Sequence, residues 1–483
     1  MTGTRDTERG RPAPFGLAPD EPAGAMARMV ADTRYDALPE DVIEIAKWAI
    51  LDTLAVTIAG SSWEASPAVA AQAASWGGTP EARVLVYGHR VSAPMAAFGN
   101  GVMARAIDMG DVHETGGHIT EWNLPAMLSV CGIAGRRVSG KDLITAYVTG
   151  GEVGVRASAA VNLARYHTTW GMPGEWNGPL CAAASVAKIL GLSMDETWNA
   201  MGMSYAAHSL SEYNKYYEGT QMPRVQLSFA GDTAVKAALL SRAGISAPRG
   251  IFTGRPSGIL RHIAWDDVQP ELLTERLGEH WQLAEGLSLK PYSACKFTHS
   301  FIASTATIMR DNDLDADEVA TIECVGSESA RMTFEPAEAK WNPRTAPEAM
   351  FSAPYTIASA ALTGGFFLDD LSAASLDDPR RRDLRRRVVM RADPEHDDPF
   401  EGFSVTVTMN DGRVFSHRTP YVRGHTLNPM TWDDLEEKLR RCAAHSGAPF
   451  SESRIARIAE ICIGLEEIDD VTQLVDAMIA DGR

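Results

Sequence analysis

Apolar residues recur with helical spacing over much of the chain, from residue 24 to about 265. The segment LPEDVIEIAKWAILDTLAVTIAGS (38–61) puts Val42, Ile45, Ala49 and Leu54 on one face. Pro39 falls near its first turn and Gly60 is read as its stop. SPAVAAQAASW, SAPMAAFGNGVMARAI, NLPAMLSVCGIAG and GKDLITAYVTGGEVGVRASAAV follow as helices. They are Ala-rich and apolar nearly all round, which predicts burial at the centre of a bundle. PLCAAASVAKILGL and MDETWNAMGMSYAAHSL form a helical hairpin with Ser193 and Glu196 as a capping box. DTAVKAALLSRAGI ends the run, and within it only ARVLVYG (82–88) is predicted extended.

After about residue 285 the pattern changes. DEVATIECVGS, RRVVMRADP, FSVTVTMNDG and RVFSHRTP alternate or are β-branched, and NDG at 410–412 marks a hairpin. FIASTATIMRDN and FSAPYTIASAALTG are helices among them. TWDDLEEKLRRCAAH, capped by Thr431 and Asp434, begins a helical tail continued by SRIARIAEICIGL and VTQLVDAMIA. The pattern predicts a mostly α fold with an inserted α+β domain. Residues 1–20 read as a disordered tail, 21–285 as the helical domain, 286–420 as an α+β lid, and 421–483 as helices rejoining the first domain.

Composition narrows the function. The 483 residues are 45% hydrophobic and 22% charged, as in an ordinary soluble enzyme of two or three domains. Net charge is −18, from 63 acids against 45 bases, so nucleic acid and anionic membrane are not expected partners. Cations that hold an anionic substrate must therefore be few and local. Cys131, Cys181, Cys295, Cys324, Cys442 and Cys462 have no zinc or iron–sulfur spacing and read as reduced core thiols of a cytoplasmic protein. No run of eighteen apolar residues predicts a membrane span, and MTGTRDTERGRPAPFG lacks the apolar core of a signal peptide.

The chemistry concentrates in 100-NGVMARAIDMGDVHETGGHITEWNLPAML-128, where Asp108, Asp111, His113, Glu114 and His118 precede a break expected at Pro125. The apolar flanks place this loop between buried helices. Buried carboxylates and imidazoles must be paired or shift their pKa, and sites that move protons on and off carbon use such groups. A second cluster, 288-SLKPYSACKFTHS-300, offers Lys290, Tyr292, Lys296 and His299 at the domain junction, a favoured place for ligands. Arg224 in 219-GTQMPRVQ-226, ahead of a buried helix, and Tyr355 in MFSAPYTIASA complete the candidates. Each has a structural alternative: a solvated acidic loop, surface lysines, a salt-bridged arginine, a core tyrosine. Glu-Trp-Asn recurs at 121–123 and 175–177, each just before a proline. No Walker loop, Rossmann fingerprint, G-x-S-x-G or H-E-x-x-H is present.

The segments WAILDTLAVTIAGS, APMAAFGNGVMARAIDMGDVHE, AAASVAKILGLS, LKPYSACKFTHS, FSAPYTIASAAL and VRGHTLNPMTWDDLEEKL resemble, in order and spacing, the MmgE/PrpD family. That family includes 2-methylcitrate dehydratase, cis-aconitate decarboxylase and iminodisuccinate epimerase. The resemblance implies a two-domain fold, a homodimer, a small carboxylate substrate and chemistry without metal or organic cofactor. It implies catalytic roles for Asp108, His118, Lys290 and Tyr355, with Arg224 at the substrate; His113, Lys296 and His299 are read from their own clusters as further substrate contacts. Asp108 and His118 would move protons, Lys290 and Arg224 would hold carboxylate and enolate charge, and Tyr355 would donate from the lid. The expected function is an acid–base lyase of dehydratase type, with decarboxylase or isomerase as the alternative and a non-catalytic helical binding protein as the reading from another class. Two departures stand out. Met172 falls where relatives carry a histidine, and Gly110-Asp111-Val112 replaces their Asp-Asp-Thr. A site that exchanges this histidine for Met172 and gains Trp122 and Trp176 points to a less charged or bulkier substrate.

Overall fold

The helical spacing of the first half builds a bundle. The elements used below are α1 (Glu40–Gly60), α2 (Ala93–Arg105), β1 (Asp111–His113), α3 (Thr120–Val130), α4 (Gly140–Ala160), α5 (Gly178–Ile189), α6 (Met194–Ala207) and α7 (Met222–Arg242). They continue with β2 (Leu287–Leu289), α8 (His299–Asp311), β3 (Val319–Ser327), α9 (Ala353–Thr363), β4 (Val388–Asp393), β5 (Ser404–Met409), β6 (Val414–Arg418) and α10 (Trp432–Ala443). The structure is a computed structural model and describes residues 21–162, 176–207, 221–254, 258–262, 268–396, 398 and 400–483.

Helix α2 packs on α7, α3 and α1, and α4 packs on α5. These all-round apolar helices form the larger of two buried apolar clusters, which also takes in Leu435, Leu439 and Cys442 of α10 where that helix lies on α1. Ser193 and Glu196 form the reciprocal capping bonds ahead of α6, as do Thr431 and Asp434 ahead of α10. The smaller cluster lies under a four-stranded sheet of order β4-β3-β5-β6, with β4 parallel to β3 and the other pairs antiparallel. Strand β5 alternates, turning Val405, Val407 and Met409 inward onto α8, while α9 lies against α8. Phe301 of α8 and Phe403 stack with ring centroids 4.9 Å apart, and each such burial stabilises by about 1.5–3 kcal/mol.

Helix α1 ends at Gly60 as expected; a Cβ there would lie 2.0 Å from the Met103 carbonyl oxygen, so this glycine also permits the close crossing of α1 and α2. Two local expectations are corrected. Pro125 does not begin a segment but sits inside α3, where it removes only one intrahelical bond. Of 82–88 only Ala82–Arg83 forms a strand, pairing with Arg90–Val91, and Val86 instead bridges to Ile479.

One ladder, of three residues a side, decides the site. Strand β1 pairs antiparallel with β2, Asp111 opposite Leu289 and His113 opposite Leu287. It joins the loop after α2 to the segment that leads into the α+β domain.

Candidate active site

Helix α2 ends at Arg105 and the chain turns through Asp108, whose φ of +48° lies in the left-handed region. Such a conformation costs a non-glycine residue free energy, though Asp tolerates it better than most. The β1–β2 ladder then sets Lys290, the residue after β2, beside this turn. Lys290 Nζ donates to Asp108 Oδ1 at 2.8 Å and to the Asp108 carbonyl at 3.1 Å. Arg105 Nη1 donates to the same Oδ1. One carboxylate oxygen thus serves two buried cations, while Oδ2 is buried with no hydrogen-bond partner. Burial pushes the Asp108 carboxyl up, but Arg105, Lys290 and His118 outweigh it and hold the group well below the usual carboxylate range. It is ionised at neutral pH.

His118 Nδ1 lies 2.8 Å from the Asp111 carbonyl oxygen. A carbonyl only accepts, so Nδ1 carries the hydrogen and Nε2 keeps its lone pair. Burial, aided by Arg105 and Lys290, holds the imidazole well below its usual value, hence neutral. The Asp111 carboxylate accepts the Ile119 and Thr120 N–H groups and so caps α3; burial still pushes it up to about 7. Glu121, in the first turn of α3, is 0% exposed. Its Oε2 lies 3.4 Å from both His118 Nδ1 and Arg105 Nε, and neither oxygen accepts a hydrogen bond. Burial pushes this carboxyl up to about 8 against the pull of Arg105 and Lys290, so it is protonated at neutral pH. A Cβ on Gly110 would lie 2.5 Å from Glu121 Oε1. Gly110 thus leaves room for the Glu121 carboxyl.

Arg224 lies within the first turn of α7 and not ahead of the helix. Its Nε donates to the Ala106 carbonyl at 2.8 Å, Nη2 contacts Met350 Sδ at 3.3 Å, and the guanidinium lies 4.7 Å from the Trp63 ring centroid. Burial lowers it to about 10, still cationic at neutral pH, and it feels Asp108 and Arg105. Behind the site, Lys438 of α10 pairs with Asp52 of α1 and donates to the carbonyls of Met109 at 2.8 Å and Lys290 at 2.7 Å. This buried ammonium pins together the two segments that carry Asp108 and Lys290.

Other candidates stand elsewhere. Both ring nitrogens of His113 are taken, Nε2 by the Gln282 carbonyl at 3.0 Å and Nδ1 by the Thr115 and Gly116 N–H groups, so it locks the loop and has no edge left for a substrate. Lys296 does not face Asp108 but pairs with buried Glu401, whose other oxygen accepts Ser300 Oγ at 2.9 Å. His299 donates through Nε2 to Ala294 at 3.0 Å and meets the Tyr292 ring edge-on at 5.2 Å; burial keeps it neutral. Tyr355 is fully buried and its hydroxyl donates to the Asp370 carbonyl at 2.6 Å, within the α+β domain and not toward His118. Trp122 and Trp176 belong to the helical core, and a Cβ on Gly178 would lie 2.4 Å from the Trp122 ring. Trp122 of α3 thus packs directly on Gly178, the first residue of α5. Met172 and its neighbour His167 lie outside the described residues.

Arg105 and Glu121 went unremarked as site residues in the sequence. Arg105 is three positions before Asp108, and Glu121 three after His118, a helical spacing that was there to read. Lys438 carried no local signal. Among the described residues no group of three His, Cys, Asp or Glu side chains is placed to hold a metal ion, and no helix is long and apolar enough to cross a membrane.

A helical domain and an α+β domain that meet around one over-cationic carboxylate agree with the sequence resemblance, and comparison with known proteins decides the class. The chain belongs to the MmgE/PrpD family: the model of its N-terminal domain matches residues 24–270 and that of its C-terminal domain residues 292–463. It is an enzyme of the lyase or isomerase type. It is 26% identical over 469 residues to the cis-aconitate decarboxylase-like protein oryM of Aspergillus oryzae, covering 93% of this chain and 95% of that one. It is 24% identical over 463 residues to the cis-aconitate decarboxylase of Aspergillus terreus, covering 92% and 93%. The human cis-aconitate decarboxylase is also 24% identical over 463 residues, covering 93% of each chain.

Proposed function

We propose that this enzyme takes a small polycarboxylate and breaks a bond at the carbon next to one carboxylate, through a carbanion- or enolate-like intermediate. One observation carries the reading: a buried pair of cations on a single ionised oxygen of Asp108, with a third cation, Arg224, in electrostatic reach. Asp108 neutralises one positive charge, and Lys290 and Arg224 are the cations offered to a ligand. Preorganised donors in a water-poor site are worth most where negative charge develops. Lys290 and Arg224 hold the substrate carboxylate and the developing charge. Asp108, too acidic to be a good base, fixes Lys290 and Arg105. His118 presents the unprotonated Nε2.

Loss of CO2 is the reaction we favour, because the relatives compared above bear the name cis-aconitate decarboxylase or its like. The C–C bond to the carboxylate breaks, its electron pair stays on carbon, and a proton from the His118–Glu121 pair completes the product; solvent then reloads the pair. A second reading, dehydration, is favoured by that same pair. A neutral imidazole beside a protonated carboxyl is a base and an acid held apart in pKa, which elimination of water requires. There Nε2 takes the proton next to the carboxylate and an acid protonates the leaving hydroxyl.

The test is product analysis. Purified enzyme is given cis-aconitate and, separately, 2-methylcitrate. CO2 release from the first supports decarboxylation; an unsaturated product from the second without CO2 supports dehydration. Failure to turn over either one, with no thermal stabilisation by any di- or tricarboxylate, would sink the carboxylate-lyase reading.

A further inference from the structure

Among the described residues five lysines are buried: Lys47, Lys290, Lys296, Lys340 and Lys438. Four have a carboxylate partner, respectively Glu466, Asp108, Glu401 and Asp52. Lys340 is the exception. It lies in the short helix Ala337–Trp341 of the α+β domain, 7% exposed, and among the described residues its ammonium makes no hydrogen bond or ion pair. Its backbone is fixed, since its carbonyl accepts Ser352 Oγ, the hydroxyl that also caps α9 at Tyr355 N. Burial lowers the ammonium to about 8, opposed only through space by Cys295 and Glu348. A buried cation with no counter-charge is costly, and most proteins pair it or lose the proton.

Its surroundings say what the missing partner is. The Cys295 thiol feels Asp108 and Lys290 on one side and Lys340 on the other. The Cys295 N–H donates to the Met350 carbonyl at 2.9 Å, and the Met350 sulfur touches Arg224 at 3.3 Å. Cys295, Met350 and Arg224 thus form a line of contacts, and Lys340, whose carbonyl is held by Ser352 two residues after Met350, lies in electrostatic reach of Cys295. The Tyr355 hydroxyl donates to the Asp370 carbonyl instead.

We propose that Lys340 is the substrate-binding cation of the α+β domain. It receives a second carboxylate of a di- or tricarboxylate whose first carboxylate lies at Lys290 and Arg224. The assignment rests on the carboxylate-lyase reading above. It also makes binding close the two domains on each other, because the ligand becomes the missing counter-charge.

The experiment compares wild type with Lys340→Met and Lys340→Arg. Three quantities are measured: melting temperature without ligand, equilibrium binding of citrate and of the monocarboxylate crotonate, and KM and kcat on cis-aconitate. Lys340→Met should melt no lower than wild type, because an unpaired charge is replaced by an apolar side chain. It should bind citrate and cis-aconitate about 10- to 100-fold more weakly, the worth of a charged hydrogen bond. Crotonate affinity should stay unchanged and kcat should move little, with Lys340→Arg intermediate. A folded Lys340→Met that binds citrate as wild type does would overturn the assignment, as would equal losses for citrate and crotonate. Should Lys340→Met fold poorly, Lys340→Gln is judged by the same two ratios. Wild type that binds no carboxylate at all would instead overturn the lyase reading, and the Lys340 assignment with it.

Discussion

Lys290 and Lys296 belong to one short segment, and each meets a buried carboxylate from far along the chain. Around Lys296 the charges balance. Glu401 accepts Lys296 through one oxygen and Ser300 through the other, and the Glu401 carbonyl accepts His396 Nε2 at 2.8 Å. Around Lys290 they do not. Asp108 takes two cations on one oxygen, leaves the other unbonded, and stands in a left-handed turn next to a protonated, unbonded Glu121. The first cluster is what a fold makes to hold itself together. The second has a left-handed turn and buried carboxylate oxygens with no hydrogen-bond partner, the departures from local consistency that mark function.

The sharpest way to break this contrast is to remove each lysine in turn. Lys290→Met should lower turnover by about 10²–10³-fold or more while the protein stays folded, since it deletes a donor to developing charge. Turnover within about threefold of wild type would put the chemistry elsewhere. Lys296→Met should do the reverse. It strands the Glu401 charge and should cost about 3–5 kcal/mol in urea unfolding, with turnover per folded molecule kept. The double variant Lys296→Met/Glu401→Leu should recover most of that loss; continued instability would mean that the pair does more than neutralise itself.

A smaller effect sharpens the comparison through pH. Glu121 has its folded value raised from 4.5 to about 8. Between those values the native state holds a proton that the unfolded chain has lost, so stability falls as pH rises through this window. Asp111, raised to about 7, acts with the same sign. Glu121→Gln should therefore flatten, without abolishing, the decline in melting temperature from pH 5 to about 8. An unchanged decline would show that Glu121 is ionised in the fold. Smallest of all, Tyr355→Phe should cost about 1 kcal/mol for its bond to Asp370 and leave turnover within about threefold. A loss of about a hundredfold would show that the tyrosine swings into the site during catalysis.

The legible parts of the molecule are those encoded by neighbours in sequence. Helical spacing located α1 to α10 because burial needs an apolar face every few residues, and the pairs Ser193–Glu196 and Thr431–Asp434 act across three positions. Residues 410–412 turned as their chemistry requires between β5 and β6. The β1–β2 ladder was not legible, since three residues carry no period and their partners are far away. For the same reason the side chains of LKPYSACKFTHS by themselves do not separate Lys290 from Lys296; the family resemblance singled out Lys290, and Asp108 and Glu401, contributed by remote segments, give the physical difference. Tyr355 fits an active-site expectation by its place in the chain, yet the carbonyl it meets belongs to Asp370. Lys340, by contrast, looks like any surface lysine until its burial is known.

Lys438 has one more consequence, and it concerns the making of the protein. Its ammonium joins Asp52, Met109 and Lys290, residues translated first, second and third, and it is itself translated last. A nascent chain can assemble much of the bundle around α1 and α2 while the ribosome is still at work. It cannot yet hold the Asp108 turn against the Lys290 strand. Competence thus waits until α10 has been made, and a frameshift or proteolytic cut before that helix would remove the ammonium that joins the Asp108 turn to the Lys290 strand. Helix α10 acts as a check that the chain was made at least that far.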